Sequence, residues 1–327
     1  MEGAAGIRTR PAVCVTGAGG FVASWLVERL LAGGRYMVHG TVRDPGDAKN
    51  AHLAAMDGAA DRLRLFRAEL LDYGSVAAAI AGCDGVFHVA SPVPMTYPIG
   101  DPEVELLAPA VTGTKNVLKA CSEAKVKRVV VVSSVAAVMV NPGWPQNEAM
   151  DEACWSDVEF CRTTQNWYCL SKTLAELEAL DYAKRSGLDV VSVCPSLVIG
   201  PLLQSTVNAS SSVIVDCLKG DREVKLKLRN FVDVRDVADA LLLVYETPEA
   251  SGRYICDANA RQMSEVVALL KDWYPAYSHA ATKFVQVSDE PLFSSKKLQA
   301  LGWKFRTLEE SLRDSVESFK AAGVLVD

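Results

Sequence analysis

The chain has 327 residues, is 50% hydrophobic and 23% charged, and carries a formal net charge of -6. That composition excludes a disordered chain, and the length exceeds what one small core fills, so one large domain with a smaller lobe, or two domains, is expected. The acidic balance argues against a nucleic-acid partner, and no apolar run nears the roughly 20 residues of a bilayer span, so no membrane partner is expected.

The opening MEGAAGIRTR has no apolar signal core, and the fold is expected to begin near Pro11. AVCVTG (12–17) reads as a buried strand and FVASWLVERLLAG (21–33) as a helix stopped by Gly33 and Gly34. Strands follow at YMVHGTV (36–42), RLRLFRA (62–68) and GVFHVAS (85–91). A long helix over 103–124 leads to RVVVVSS (128–134), and another over 163–186 leads to LDVVSVCP (188–195). The run from Lys125 to Arg128 ends the first of these, where cations suit the helix dipole, and reads as a solvated face. Strand–helix alternation implies an α/β fold, a doubly wound parallel sheet (Rossmann-type) covered on both faces. After Pro195 the rhythm breaks into loops, then FVDVRDVADALLLVYE (231–246) and three weaker helical stretches. We expect a cofactor-binding domain over 10–195 with a return segment at about 228–257. Residues 196–227 and 258–327 would form a smaller, partly interleaved substrate lobe.

The first strand runs into TGAGGFVAS (16–24), where Gly17, Gly20 and Ala23 give the spacing GxxGxxA. Glycine there permits a tight turn and lets a pyrophosphate sit against the helix N-terminus. The second strand ends TVRD, with Arg43 first in line and Lys49 six residues later. A guanidinium suits a ribose 2′-phosphate, so NADPH is the expected cofactor; Asp44, an acidic residue shifted by one, leaves NAD as the lesser alternative.

Ser133 and Ser134 close the fifth strand, at the carboxyl edge where ligands bind in open α/β sheets. Tyr168 and Lys172 lie four residues apart, on one face of a predicted helix. An ammonium beside a phenol favours the phenolate and lowers its pKa from about 10, so the tyrosine can pass a proton to a carbonyl oxygen while a serine hydroxyl binds it.

TGAGGFVASW, TVRDP, FHVASPV, VTGTKNVL, VVSSVAAV, NWYCLSK, GPLLQ, VDVRDVADA and SGRYIC span most of the chain. With them it resembles the extended short-chain dehydrogenase/reductases, and more narrowly the plant cinnamoyl-CoA reductase and dihydroflavonol reductase group. The resemblance implies Ser134 as the carbonyl-binding serine, Tyr168 as the acid, and Lys172 as the residue that tunes it and holds the nicotinamide ribose. It implies NADPH contacts from Gly17, Gly20, Phe21, Val22, Arg43, Lys49, Glu69, Leu70, Ala90, Lys172, Pro195 and Val198, with Asn116 in a supporting role. The implied substrate is a phenylpropanoid-like carbonyl of the plant lignin type: first a hydroxycinnamoyl-CoA thioester, otherwise a free aldehyde or ketone. A cytoplasmic monomer or homodimer is expected. A non-catalytic NADPH-sensing protein is the remote alternative, opposed by the presence of both Tyr168 and Lys172.

Departures from the family pattern bear on the substrate. Where cinnamoyl-CoA reductases carry a His-x-x-Lys pair after NAS, this chain has Val213 and Asp216, and a basic residue after SGRY is replaced near Met263. Loss of positive charge weakens the grip on a CoA phosphate. Glu69 stands where an aspartate is common. Nine cysteines without CxxC or metal-ligand spacing suit a reduced compartment, where Cys161 and Cys169 are expected mainly as thiols rather than an oxidant-sensitive pair. His88 is expected to line or orient the nicotinamide pocket. Trp155, Trp167 and Phe160 read as aromatic pocket walls or core, and Arg235 as pocket support or a structural ion pair.

Overall fold

A computed structural model of the chain describes residues 10–93, 99–145, 147–220, 223–277 and 283–325. Residues 1–9, which carry the expectation of no export signal, lie outside them. Seven strands build the main sheet: β1 (Ala12–Val15), β2 (Met37–Val42), β3 (Leu63–Arg67), β4 (Gly85–His88), β5 (Arg128–Val132), β6 (Val190–Pro195) and β10 (Gly252–Cys256). Their order is β10-β6-β5-β4-β1-β2-β3, and every pair is parallel. The expected doubly wound sheet is thus present.

Every residue of β4, β5 and β6 is buried, because helices cover both faces. Alternation along β1 shows how the chain serves two cores. Val13 and Val15 pack with Leu26 and Leu30 of the Phe21–Ala32 helix and with Val237 and Leu241 of the Val234–Glu246 helix. Cys14 faces the other way, towards Ile80, Val117 and Cys121 of the Tyr73–Ile80 and Ala108–Glu123 helices.

Arg128 departs from the solvated-face reading. It opens β5 as a buried side chain, 8% exposed, and donates to Val244 O (2.8 Å), Pro248 O (3.0 Å) and Ala250 O (3.2 Å). It thereby caps the carboxyl end of the Val234–Glu246 helix. Lys125 and Lys127 do face solvent.

Both long helices are also more interrupted than their hydrophobic periodicity suggests. The first begins as a π-helical turn, Glu103–Leu107, before the α-helix of Ala108–Glu123. Pro109 has no N–H for the carbonyl four residues back, and a widened turn accommodates that. The second, expected over 163–186, starts only at Trp167, because Gln165 at φ 58° breaks it from a short preceding helix, Val158–Thr163.

The remaining strands are β7 (Leu197–Ile199), β8 (Val224–Leu226), β9 (Leu228–Asp233), β11 (Asn259–Gln262) and β12 (Phe284–Gln286). They form a three-stranded sheet, β11-β9-β7, and a parallel pair, β12-β8. Helices Ala209–Lys219, Met263–Trp273 and Leu308–Ala321 pack there around Phe231, Leu270, Leu312 and Phe319. Among the described residues no helix is long and apolar enough to cross a membrane, and no side-chain cluster could hold a metal ion.

Candidate active site

Strand order reverses between β1 and β4, and the crevice at their carboxyl ends is where doubly wound sheets take dinucleotides. Gly17 leaves β1 at φ 67°, and a Cβ there would stand 3.0 Å from the Cβ of Ala90, just beyond β4. Gly20 closes the turn with its N–H on Gly17 O (2.9 Å) and precedes the Phe21–Ala32 helix, whose first turn has no side-chain cap. The structure therefore gathers Gly17, Gly20, Phe21, Val22 and Ala90 at one place, with helix amides open to an anion. Asn50, absent from the sequence reading, packs against this turn: it is buried, donates to Asp44 O (2.8 Å), and its Oδ1 occupies the space that a Gly19 Cβ would need.

Arg43 is exposed at the end of β2. Lys49 pairs with Asp47 (2.6 Å), and that bond holds the Asp47 carboxyl below its ordinary range. Asp44 turns its carboxylate onto Gly46 N (2.9 Å), closing its own turn. Past β3, Glu69 is exposed and Leu70 half-buried; Asn116 donates to Leu70 O (2.8 Å), which places it at this end of the crevice.

At the other end, the Trp167–Ser186 helix carries Tyr168, Lys172 and Glu176 at four-residue intervals. Lys172, 6% exposed, donates from Nζ to Val132 O (3.0 Å), the last residue of β5. Burial lowers its pKa to about 8, against the opposing pull of Glu176 and Cys194. Tyr168 is half-buried. The two serines after β5 part company: Ser133 is buried and donates to Glu176 Oε2 (2.7 Å), whereas half-buried Ser134 accepts from Ala136 N (3.1 Å). Pro195 ends β6 opposite Cys256, and buried Val198 pairs with Val232 in β7 and β9.

His88 ends β4 in a chain of bonds that fixes its state. Thr16 Oγ1 accepts from Val89 N and Ala90 N (3.0 Å each), so its proton goes to His88 Nδ1 (3.1 Å). Nε2–H then donates to Thr114 Oγ1 (3.1 Å), which donates to Ala110 O (2.7 Å). Burial, with Lys172 nearby, lowers its pKa to about 3, so His88 is a neutral brace between strand ends.

The other singled-out residues are mostly committed to packing. Arg253 stacks 3.5 Å from the centroid of Trp155, and Trp167 packs beside Leu107, Cys161 and Leu170, while Phe160 is 41% exposed. Arg235 pairs with Asp233 (2.8 Å) and Asp314 (2.7 Å). Val213 and Asp216 are half-buried on the Ala209–Lys219 helix, and Met263 is in the smaller core. Cys161 and Cys169 are separate thiols, and burial pushes both up, Cys169 to about 12. Buried Glu176 and Arg253 escaped the sequence reading; the one signal was Glu176 continuing the Tyr168–Lys172 face.

A family model described as the NAD dependent epimerase/dehydratase family matches residues 13–269, and the chain belongs to that family. It is an extended short-chain dehydrogenase/reductase, an oxidoreductase, as the resemblance implied. It is 48% identical over 318 residues to cinnamoyl-CoA reductase 1 of Petunia hybrida, across 96% of this chain and 93% of that one. It is 43% identical to tetraketide alpha-pyrone reductase 1 of Arabidopsis thaliana, across 96% of each. Among solved structures, yeast methylglyoxal/isovaleraldehyde reductase Gre2 complexed with NADPH superposes with a TM-score of 0.79, at 26% identity, over 96% of this chain and 100% of that one.

Proposed function

We propose that the chain is an NADPH-dependent reductase that converts a hydroxycinnamoyl-CoA thioester to the hydroxycinnamaldehyde in the plant cytoplasm, in metabolism of the lignin type. The observation that carries this is the near-full-length likeness to cinnamoyl-CoA reductase. The residues suit the cofactor. A pyrophosphate would lie against the uncapped amides of Phe21 and Val22 after Gly20, above a turn that Gly17 keeps close to Ala90 by carrying no side chain. Arg43 and Lys49 would meet the 2′-phosphate, Glu69 and Leu70 the adenosine, and Pro195 and Val198 the nicotinamide.

Bound NADPH supplies a hydride to the substrate's carbonyl carbon. Ser134 donates a hydrogen bond to the carbonyl oxygen and Tyr168 gives that oxygen its proton, while the Lys172 ammonium favours the phenolate left behind. The resulting hemithioacetal returns its hydroxyl proton through Tyr168 as the C–S bond breaks, leaving aldehyde and CoA thiol.

A second reading, reduction of a free aldehyde or ketone by the same residues, is favoured by Val213, Asp216 and Met263, which offer no cation to a CoA phosphate. Steady-state NADPH oxidation with feruloyl-CoA, coniferaldehyde and dihydroquercetin separates the two. We expect turnover of the thioester, falling about a thousandfold in Tyr168→Phe. Turnover confined to free carbonyls moves the protein to the second reading.

A further inference from the structure

Below Tyr168 and Lys172 the helix face ends on a carboxylate whose bonds reach three neighbouring strands. Glu176 is 1% exposed. It accepts from Ser133 Oγ (2.7 Å) after β5, from Ser192 Oγ (2.6 Å) in β6, and from Arg253 Nε (2.8 Å) and Nη2 (3.2 Å) in β10. Arg253 spends its remaining donors on Cys154 O (2.6 Å), Glu152 O (3.0 Å) and Ala137 O (3.4 Å). A buried ion pair of this kind is weak evidence for stability, since apolar residues of similar volume often serve as well. What apolar residues cannot supply is a fixed charge and a fixed set of acceptors.

Both bear on the chemistry. Neighbouring side chains of an extended strand end point to opposite sides, so a Ser133 hydroxyl held inward by Glu176 presents Ser134 outward. The charge bears on Lys172. The titratable groups around its ammonium are Tyr168 and Glu176 on its own helix, Cys194 from β6 and His88 from β4. His88 is held neutral by its hydrogen bonds, and burial keeps the Cys194 thiol protonated. Arg253 lies against the same carboxylate. Glu176 is thus the anion that offsets the burial of Lys172.

We propose that Glu176 is a positioning residue for the reduction: it anchors Ser133 so that Ser134 meets the substrate carbonyl, and it keeps Lys172 charged beside Tyr168. This rests on the roles proposed above for Ser134, Tyr168 and Lys172.

Glu176→Gln keeps the volume and removes the charge, while Ser133→Ala removes one hydrogen bond and no charge. Two readouts separate structure from positioning. NMR of [15N]lysine-labelled protein, with Lys172 assigned by its loss in Lys172→Arg, gives that ammonium's titration midpoint without cofactor or substrate. Kinetics with whichever of feruloyl-CoA or coniferaldehyde the wild type reduces gives kcat and KM. Glu176→Gln is expected to lower the midpoint by about one pH unit and kcat by about 10–100-fold, with KM within about threefold. Ser133→Ala is expected to leave the midpoint in place and lower kcat about tenfold. Either readout at its wild-type value in a folded Glu176→Gln overturns the proposal. Should that variant not fold, wild-type kcat in Ser133→Ala overturns it. A wild type inert towards both substrates would sink the proposed function instead, and the Lys172 midpoint would then decide this inference alone.

Discussion

In the proposed reduction Lys172 assists Tyr168 through its charge, and burial opposes that charge, lowering its pKa from 10.5 to about 8. Between those values the unfolded chain binds more protons than the folded one, so this residue's contribution to stability rises with pH across the window. Below about pH 8 the buried ammonium costs stability in full. Urea midpoints of wild type and Lys172→Met compared from pH 7 to pH 10 should show the wild type gaining on the variant as pH rises; a constant difference would deny the shift. Arg43 carries a second residue-scale expectation. Arg43→Ala should raise KM for NADPH about tenfold and leave that for NADH unchanged, as removal of a charged hydrogen bond to a 2′-phosphate predicts. Equal effects on both cofactors would place the guanidinium elsewhere. The side chains proposed to carry the chemistry stood out because the proposal rests on local spacing: Tyr168 to Lys172 along one helix, and Ser134 at a strand end. Glu176 and Arg253 were not, since a lone charged residue in a helix or strand reads as surface, and only the fold brings these two within 2.8 Å across 77 positions.

Among the elements, the turn after β1 makes the sharpest demand on sequence. Gly17 combines a left-handed φ of 67° with a Cβ position 3.0 Å from Ala90, so Gly17→Ala meets backbone strain of about 1–2 kcal/mol together with a steric clash. We expect a lower melting temperature and NADPH affinity reduced at least tenfold by fluorescence titration, since the displaced turn is the one that would hold the pyrophosphate. Unchanged affinity would show that the pyrophosphate lies elsewhere. The central strands β4, β5 and β6 were readable as apolar runs because both faces are buried, whereas edge strand β3 showed itself by apolar residues interspersed with Arg64 and Arg67. Strands β8, β11 and β12 span only three or four residues, too short for alternation to show, and β9 runs without a loop into the helix that begins at Val234. Pro109 was the available signal for the π-helical turn before it, and nothing comparable marked Gln165 as a break.

At the scale of the molecule, Arg235 ties the two sets of elements: it stands on the Val234–Glu246 helix, which packs on the main sheet, and pairs with Asp314 on the Leu308–Ala321 helix of the smaller core. The free thiols of buried Cys161 and half-buried Cys169, both pushed up from the ordinary range, predict an enzyme indifferent to mild oxidant. Activity after oxidised-glutathione treatment should match that of Cys161→Ser; selective loss in the wild type would reveal a pairing. The sequence-visible fold and site leave one question for the whole protein, which carbonyl enters the crevice, because one scaffold hosts many substrates. The most direct test is the product formed from feruloyl-CoA and NADPH deuterated at the transferable position of its nicotinamide, followed by mass spectrometry. The account predicts coniferaldehyde bearing one deuterium at its aldehyde carbon, released with free CoA thiol and lost in Tyr168→Phe. Intact feruloyl-CoA, with deuterium appearing only in alcohols made from added aldehydes or ketones, would contradict it.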